Sequence, residues 1–365
     1  MRSGSHSPTA DFLAGVQAGP PRTSPPGAFL LGLSKSLRQV KYRMGRRLRP
    51  AGKRALRSAL PFSLLLAGCV TGGVALAPPA LANGLQLDSR IVWNGDLPGF
   101  GAYSALAVTG GGTAFLTVSD KGRWVRGRLV RDADGRLAAA EATADGPLRD
   151  PDGAPVGRYD VDAESLAFDA AGRTLVAFEA NHRVWAYADL AGSAAPLPGS
   201  PILDRLQNNS GLEAIFTGPD GTLHGIPERS GELDRPFPVY RLGPGGWSTV
   251  FTLPRRPPYL VTGADLGPDG RLYLLERHWN GFLSFAARIR SFRYTARGLS
   301  DERTEWEGAL GSVDNLEGIS TWRDGAGVLR VTVISDDNRM ALQRTLILEF
   351  RRAILSAPRP RPRPG

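Results

Sequence analysis

Short apolar runs alternate with polar turns through most of residues 103–350. The runs are rich in β-branched and aromatic residues, and few stretches show helical spacing. The clearest are TAFLTVSD (113–120), RTLVAFE (173–179), TLHGIPE (222–228), RLYLLE (271–276), VLRVTVISD (328–336) and TLILEF (345–350). Turn signals such as Asp220-Gly221, Asp269-Gly270 and Asp324-Gly325 separate them and favour hairpins. The pattern predicts an all-β protein.

Four segments begin alike, each with an acid, an apolar stretch, a glycine-centred turn and a second apolar stretch. Their lead acids, which are separated by 49, 52 and 52 residues, are Glu164, Glu213, Asp265 and Glu317. A period near fifty built from short strands indicates a single β-propeller. Residues 103–124 form a weaker fifth module with Ala105 at the lead position. We therefore count five blades, although the 59 residues between Ala105 and Glu164 leave room for a sixth.

The two ends of the repeat region are expected to meet. LQLDSRIVW (85–93) is a strand without a module of its own, and it lies before the first blade. We expect it to pair beside TLILEF (345–350), because this closes the ring and removes exposed sheet edges.

The net charge of +10 belongs to the chain ends. Residues 1–82 contribute +11 and residues 351–365 contribute +5, so the segment 83–350 carries −6. A nucleic-acid partner needs a basic face on the domain itself, so we expect none. We expect a monomer that acts on a small molecule.

Residues 1–82 are predicted to be a disordered leader and a signal peptide. A basic stretch from Met44, which is an alternative start, precedes the apolar run ALPFSLLLAGCVTGGVALA. Two readings stay open: cleavage after Ala82, or a lipobox at residues 66–69 that acylates Cys69, the only cysteine. Both predict export to the periplasm or the bacterial envelope, with membrane contact only through these segments. Residues 351–365 are predicted to be an extended Pro/Arg-rich tail.

The repeated acids and the cations near them are the candidate chemistry. The lead acids, one position in four modules, are expected to converge on one channel mouth, where Ca²⁺ would relieve their repulsion. A second acid ends each second strand, namely Asp120, Glu179, Glu228, Glu276 and Asp336, with cations close behind. Among these cations we assign substrate binding to His182, Arg183, Arg229 and Arg339. We assign catalysis to Glu276 as general base with Arg277 and His278. In the structural alternative, each acid only pairs with its own arginine.

Several segments together resemble a known family. They are DAESLAF (162–168), NNSGLEAIF (208–216), TGADLGPDGRLYLLER (262–277) and DNLEGIS (314–320). In this order they resemble the phytase-like family labelled "esterase-like activity of phytase". The resemblance implies a bacterial exported propeller, similar to the β-propeller phytases that bind Ca²⁺ in the channel and hydrolyse phosphomonoesters. The four lead acids match the repeated acids of the family.

Three functions follow from these patterns. The first is a metal-dependent hydrolase of ester or phosphoester bonds at the channel mouth. The second is a non-catalytic envelope propeller that binds a ligand or a protein, for which the loop at 227–240 is suited. The third is a lactonase-like hydrolase that also uses a channel metal.

Overall fold

A computed structural model describes residues 84–207, 210–281 and 284–353. The predicted leader, the signal peptide and Cys69 lie outside the described residues, as does the tail from residue 354 onward. The described residues form five antiparallel sheets of four strands each. The prediction of an all-β propeller with five blades is confirmed.

The strands follow one another around the ring in chain order, except for the first. β1 spans Leu85–Val92 and belongs to the last blade. Blade 1 comprises β2 Tyr103–Thr109, β3 Ala114–Ser119, β4 Arg123–Arg131 and β5 Leu137–Pro147. Blade 2 comprises β6 Ala163–Phe168, β7 Thr174–Phe178, β8 Arg183–Tyr187 and β9 Ala195–Pro196. Blade 3, which follows the short helix α1 Pro201–Asp204, comprises β10 Ala214–Thr217, β11 Leu223–Ile226, β12 Phe237–Gly243 and β13 Gly246–Leu253.

The last two blades are longer. Blade 4 comprises β14 Leu260–Leu266, β15 Arg271–Trp279, β16 Phe285–Thr295 and β17 Gly298–Glu307. Blade 5 comprises β18 Asn315–Arg323, β19 Leu329–Asp336, β20 Leu346–Arg352 and β1. The segment that left room for a sixth blade instead forms β4, β5 and the connection to β6.

The first strands of the blades line a central channel. Each contacts the first strand of the next blade, and β18 contacts β2 to complete the circle. These strands start at one face of the ring, which we call the mouth face. They turn into their second strands at the opposite face, which we call the hairpin face. Asp-Gly turns lie at the hairpin face, and Gly221 and Gly270 adopt φ values of 77° and 75° there.

β1 closes the ring. It pairs with β20 along its length, from Leu85 opposite Arg352 to Val92 opposite Leu346, as the sequence predicted. The last strand therefore extends to Arg352 and includes the first two residues of the predicted tail. A buried Glu349 on β20 accepts hydrogen bonds from Arg131 of blade 1 at 2.8 and 2.9 Å. This pair links the last blade to the first.

The core is divided among the blade interfaces. Five clusters of buried apolar side chains lie one between each pair of neighbouring blades. Each sheet is thus covered on both sides by its neighbours, which explains the near-continuous apolar strands. Within the described residues, no helix is long and apolar enough to cross a membrane.

Candidate active site at the channel mouth

One polar residue from each blade points into the mouth from the start of the first strand. We call this set the first ring; its members are Ser104, Glu164, Glu213, Thr262 and Glu317. In blades 1, 2, 4 and 5 this residue is the extra residue of a β-bulge. In blade 3 it directly precedes the first paired residue of β10. A bulge residue leaves the ladder and can be directed toward a site. Strand pairing therefore shows that these five residues occupy equivalent positions in their blades.

The first ring contains three of the four predicted lead acids. Asp265 lies three residues beyond Thr262, where the alternation of the strand turns it away from the mouth. Its carboxylate accepts hydrogen bonds from the Thr321 backbone N–H at 2.6 Å and hydroxyl at 2.7 Å. Asp265 therefore joins β14 to β18. In blade 1 the ring residue is Ser104 and not Ala105.

A second ring comes from the ends of the second strands. Its members are Asp120, Glu179, Glu228, Arg277 and Asp336. In every blade this residue lies opposite the residue two positions before the first-ring residue. Four members are the acids that the sequence indicated, but blade 4 contributes Arg277 in place of Glu276.

Arg277 is the cation of the mouth. Its guanidinium donates hydrogen bonds to Glu317, to Asn315 at 2.5 Å and to Glu228 at 3.3 Å. Burial opposes its charge, but Glu317, Glu228 and Glu213 outweigh this effect and raise the pKa of Arg277. Arg277 thus neutralises part of both rings from the one blade that supplies no acid to either.

Glu276 and His278 lie on the opposite face of β15 from Arg277, because neighbouring residues of a strand alternate. Glu276 is fully buried and accepts hydrogen bonds from Arg288 at 2.8 Å and from Arg290 at 2.6 and 2.7 Å. His278 packs against Tyr259, with 5.9 Å between ring centroids. The structure therefore places neither residue in the mouth, and it removes Glu276 as a candidate general base there.

The four residues predicted to bind substrate occupy different surroundings. The Arg229 Nε donates to Glu228 at 2.9 Å, so this side chain lies beside the second ring. Arg183 packs over Phe178 at 4.1 Å and donates to the Asp160 carbonyl at 2.6 Å, which gives it a structural contact. Of these two arginines, only Arg229 lies beside the mouth.

His182 and Arg339 lie in the loops that surround the second ring. The His182 Nε2 is 3.2 Å from the Gln207 carbonyl oxygen, and burial lowers the pKa of this imidazole. Arg339 is exposed and donates to the Gly99 carbonyl at 2.6 Å. Both side chains therefore lie at the edge of the mouth, and each contacts a backbone carbonyl oxygen.

The carboxyl groups of the first ring share a buried, strongly acidic environment. Burial, and then the charge of Glu213, raises the pKa of Glu164 well above its usual range. Burial, and then Glu228 and Glu179, does the same for Glu213. Burial raises the pKa of Glu317 to about 7, although Arg277 attracts its charged form. The mouth therefore favours protons or a bound cation.

Three carboxylates of blade 2 could hold a metal ion. Oxygens of Asp162, Glu164 and Glu179 all lie within 4.8 Å of one another. Carboxylate oxygens are the ligands that Ca²⁺ prefers, and a cation there would relieve the repulsion that raises the pKa of Glu164. The donor set thus fits a hard divalent cation, with Glu213 beside it.

The channel below the first ring is narrow. The residue after each ring residue is small, and these residues are Ala105, Ser165, Ala214, Gly263 and Gly318. A Cβ added to Gly263 would lie 2.6 Å from the Glu317 carbonyl oxygen, and one on Gly318 would lie 2.7 Å from the Ala105 backbone. The first strands are therefore in close contact below the mouth. A ligand can reach the mouth but cannot pass along the channel.

The family comparison agrees with this architecture. The family model described as "esterase-like activity of phytase" matches residues 98–339, a range that contains both rings. The chain belongs to the phytase-like family. No curated protein matches this phytase-like propeller.

Comparison with solved structures finds similar chains at low identity. The phytase-like propeller is 15% identical to a PQQ-bound aldose sugar dehydrogenase from Streptomyces coelicolor, with a TM-score of 0.42 over 75% of this chain and 99% of that chain. It is 14% identical to an α-L-arabinofuranosidase from Podospora anserina in complex with cellotriose, with a TM-score of 0.47 over 74% and 98%. It is 15% identical to a gluconolactonase from Xanthomonas campestris, with a TM-score of 0.36 over 75% and 99%.

Proposed function

We propose that the mouth is the active site of a Ca²⁺-dependent hydrolase of ester or phosphoester bonds. The observation that supports this most is the triad of Asp162, Glu164 and Glu179, whose oxygens lie within 4.8 Å of one another. Bound Ca²⁺ would polarise the substrate oxygen and make a bound water more acidic. The family membership is consistent with this chemistry.

The chain's own residues would hold the proton and position the substrate. Glu213 lies beside the triad, and burial raises the pKa of its carboxyl, which makes the carboxylate a stronger base than an ordinary glutamate. Arg229, about one third exposed, lies at the rim and can approach an anionic group. We assign Glu213 as the general base, because Glu276 is enclosed by two arginines.

Paired hydrolysis assays test this function. Purified protein is assayed with p-nitrophenyl phosphate and p-nitrophenyl butyrate, with added Ca²⁺ or with a chelator. We expect hydrolysis of one probe that requires Ca²⁺ and falls by about a hundredfold in Glu213→Gln, the range of a lost general base. Glu164→Gln should weaken Ca²⁺ binding. The matched control, Glu141→Gln, changes an exposed acid of β5 and should behave like the parent protein.

Calcium titration separates the remaining outcomes. Ca²⁺ at a hundred times its Kd should stabilise the fold by about 2.7 kcal/mol. Binding of Ca²⁺ without hydrolysis of either probe would overturn the hydrolase and favour the non-catalytic binding propeller. Identical melting with Ca²⁺ and with a chelator would overturn the metal site itself.

We also propose that the protein is exported. The basic stretch after Met44 and the apolar run that follows support this. Intact-mass analysis of envelope fractions is the test. A chain starting at Asn83 indicates cleavage, and a chain starting at an acylated Cys69 indicates a lipoprotein. An uncleaved chain in the cytosol contradicts both.

A further inference from the structure

A second concave site lies on the hairpin face, at the opposite end of the ring from the mouth. It is a cleft of about 560 Å³ between blades 3 and 4. This volume is within the usual range of small-molecule sites, about 300–1,000 Å³. Its walls include Pro219, Arg241, Val250, Phe251, Tyr294 and Arg297.

The floor of the cleft is a rigid aromatic cluster around a buried histidine. The His224 ring stacks on Phe216, with 4.9 Å between centroids and 11° between planes. Tyr294 meets His224 edge to face at 5.7 Å and Phe251 at 6.0 Å. These contacts join the two blades and fix the position of the Tyr294 hydroxyl.

The hydrogen bonds of His224 determine what this hydroxyl offers. The His224 Nδ1 is 3.1 Å from the Thr222 carbonyl oxygen, which can only accept, so Nδ1 carries the hydrogen. The Nε2 is then an acceptor, and the Tyr294 O–H donates to it at 3.2 Å. Burial lowers the pKa of His224, which favours this neutral form. The Tyr294 oxygen therefore presents lone pairs to the cleft.

The rim of the cleft is positively charged. Arg241 lies directly opposite His224 in the β11–β12 pairing, so the two side chains share a face of the sheet. Arg297 follows β16 in its turn to β17. Within the described part of the chain, neither arginine belongs to a salt bridge. Asp220 also lines the cleft, and its carboxylate accepts hydrogen bonds from the Thr222 N–H at 3.1 Å and hydroxyl at 2.5 Å.

A bulge in β13 supplies the apolar wall. Val239 pairs with Phe251 and Tyr240 pairs with Thr249, so Val250 is the extra residue. Both Val250 and Phe251 line the cleft. Bulges commonly redirect side chains at binding sites. The cleft thus combines an apolar wall, an acceptor at its floor and two cations at its rim.

We propose that this cleft binds a small aromatic acid that carries a hydroxyl or amino donor on the opposite side of its ring. The donor would bond to the Tyr294 oxygen, the ring would pack on Phe251, and the acid group would contact Arg241 and Arg297. This ligand is distinct from the substrate proposed for the mouth.

Calorimetric titration with three matched probes tests the proposal. The first probe, 4-hydroxybenzoate, has both features, whereas benzoate lacks the donor and 4-hydroxybenzamide lacks the charge. We expect 4-hydroxybenzoate to bind about fivefold more tightly than benzoate and about tenfold more tightly than 4-hydroxybenzamide. Equal affinity for the three probes, or no binding of 4-hydroxybenzoate at millimolar concentration, would overturn it.

Variants assign each feature to its residue. Arg241→Gln and Arg297→Gln should each weaken 4-hydroxybenzoate binding several-fold and leave 4-hydroxybenzamide unchanged. Tyr294→Phe should reduce the affinity for 4-hydroxybenzoate to that for benzoate. Arg136→Gln, which changes an exposed arginine in blade 1, is the matched control and should have no effect. Loss of binding in Arg229→Gln but not in Arg241→Gln would place the probe at the mouth and contradict the proposal.

Discussion

At the scale of single residues, the charge balance of the mouth depends on Arg277. Blades 2, 3 and 5 contribute acids to both rings, and blade 1 contributes Ser104 and Asp120. Only blade 4 contributes a neutral residue and a cation, Thr262 and Arg277. The guanidinium contacts an acid from each ring, Glu317 and Glu228. It therefore acts as a covalently attached counter-ion for acids of blades 3 and 5.

Removing this counter-ion should destabilise the protein. We expect Arg277→Gln to lower the free energy of unfolding by about 3 kcal/mol at about pH 8 in chelator, because the buried Glu317 loses its cation and Glu228 keeps only Arg229. Arg277→Lys keeps the charge and should lose less. Urea unfolding measures both variants, with Arg136→Gln as the control. Equal stability of Arg277→Gln and that control would show that the contacts contribute nothing.

The raised pKa of Glu317 predicts an unusual pH dependence. Its pKa is about 7 in the folded protein, against 4.5 for an ordinary glutamate. The folded state therefore binds more protons between these values, so the free energy of unfolding falls as pH rises through this interval. The stabilisation is fully present below about pH 4.5 and is lost above about pH 7.

Unfolding measured in chelator from about pH 5 to about pH 8 should show this decline. Glu317→Gln should make the decline shallower, because the carboxyls of Glu164 and Glu213, whose pKa values burial also raises, still contribute. Glu141→Gln, at the surface, should leave the decline unchanged. A stability that rises with pH in the parent protein would contradict the assignment.

At the scale of the strand, the repeated unit of the mouth is a tripeptide. Each first strand starts with a polar residue, a small residue and an apolar residue: SAL (104–106), ESL (164–166), EAI (213–215), TGA (262–264) and EGI (317–319). The polar residue faces the mouth, and the small residue lets neighbouring strands approach. Ser165 uses this contact for a hydrogen bond from its hydroxyl to the Leu212 carbonyl at 2.8 Å.

The close approach predicts a position-dependent cost for one methyl group. Gly318→Ala places a Cβ 2.7 Å from the backbone of Ala105 and Leu106, which cannot move aside easily. We expect the free energy of unfolding to fall by about 1–3 kcal/mol. Gly325→Ala is the matched control, because a Cβ there meets nothing within 4 Å. Thermal or urea unfolding compares the two, and similar values for both would contradict a tightly packed channel.

At the scale of the whole molecule, stability depends on the closure of the ring. β1 arrives from the start of the described chain and completes blade 5, while Glu349 reaches Arg131 in blade 1. Arg330 adds a hydrogen bond to Asp88 of β1 at 2.5 Å. Closure therefore combines strand pairing with buried ion pairs, and it covers the edge that β20 would otherwise expose.

Deleting β1 tests this closure. A protein that starts at Trp93 should be several kcal/mol less stable than one that starts at Gly84, because it exposes the β20 edge and the apolar side chains beneath β1. The deletion would also remove Asp88, which forms an ion pair with Arg330. Equal melting temperatures for the two proteins would show that β1 is not needed for the fold.

The architecture follows from local features of the sequence. The period near fifty, the Asp-Gly turns and the unpaired strand at 85–93 predicted five blades and their closure, because alternation and turn chemistry are local properties. The sequence also brought Glu164, Glu213 and Glu317 forward as one set. The sequence also contains the five tripeptides. An alignment on these tripeptides, instead of on the acids, would have identified Ser104 and Thr262 as members of the first ring.

Which side chains face the mouth depends on how the strands pair, and the sequence does not show this. A shift of one residue along a strand reverses the direction of a side chain, and a bulge introduces such a shift without changing composition. This is why Arg277 and not Glu276 occupies the second ring, and why Asp265 bonds to Thr321 in the next blade. Acids one or three positions apart look equivalent in the sequence, but strand pairing separates an acid that faces the mouth from one buried elsewhere in the blade.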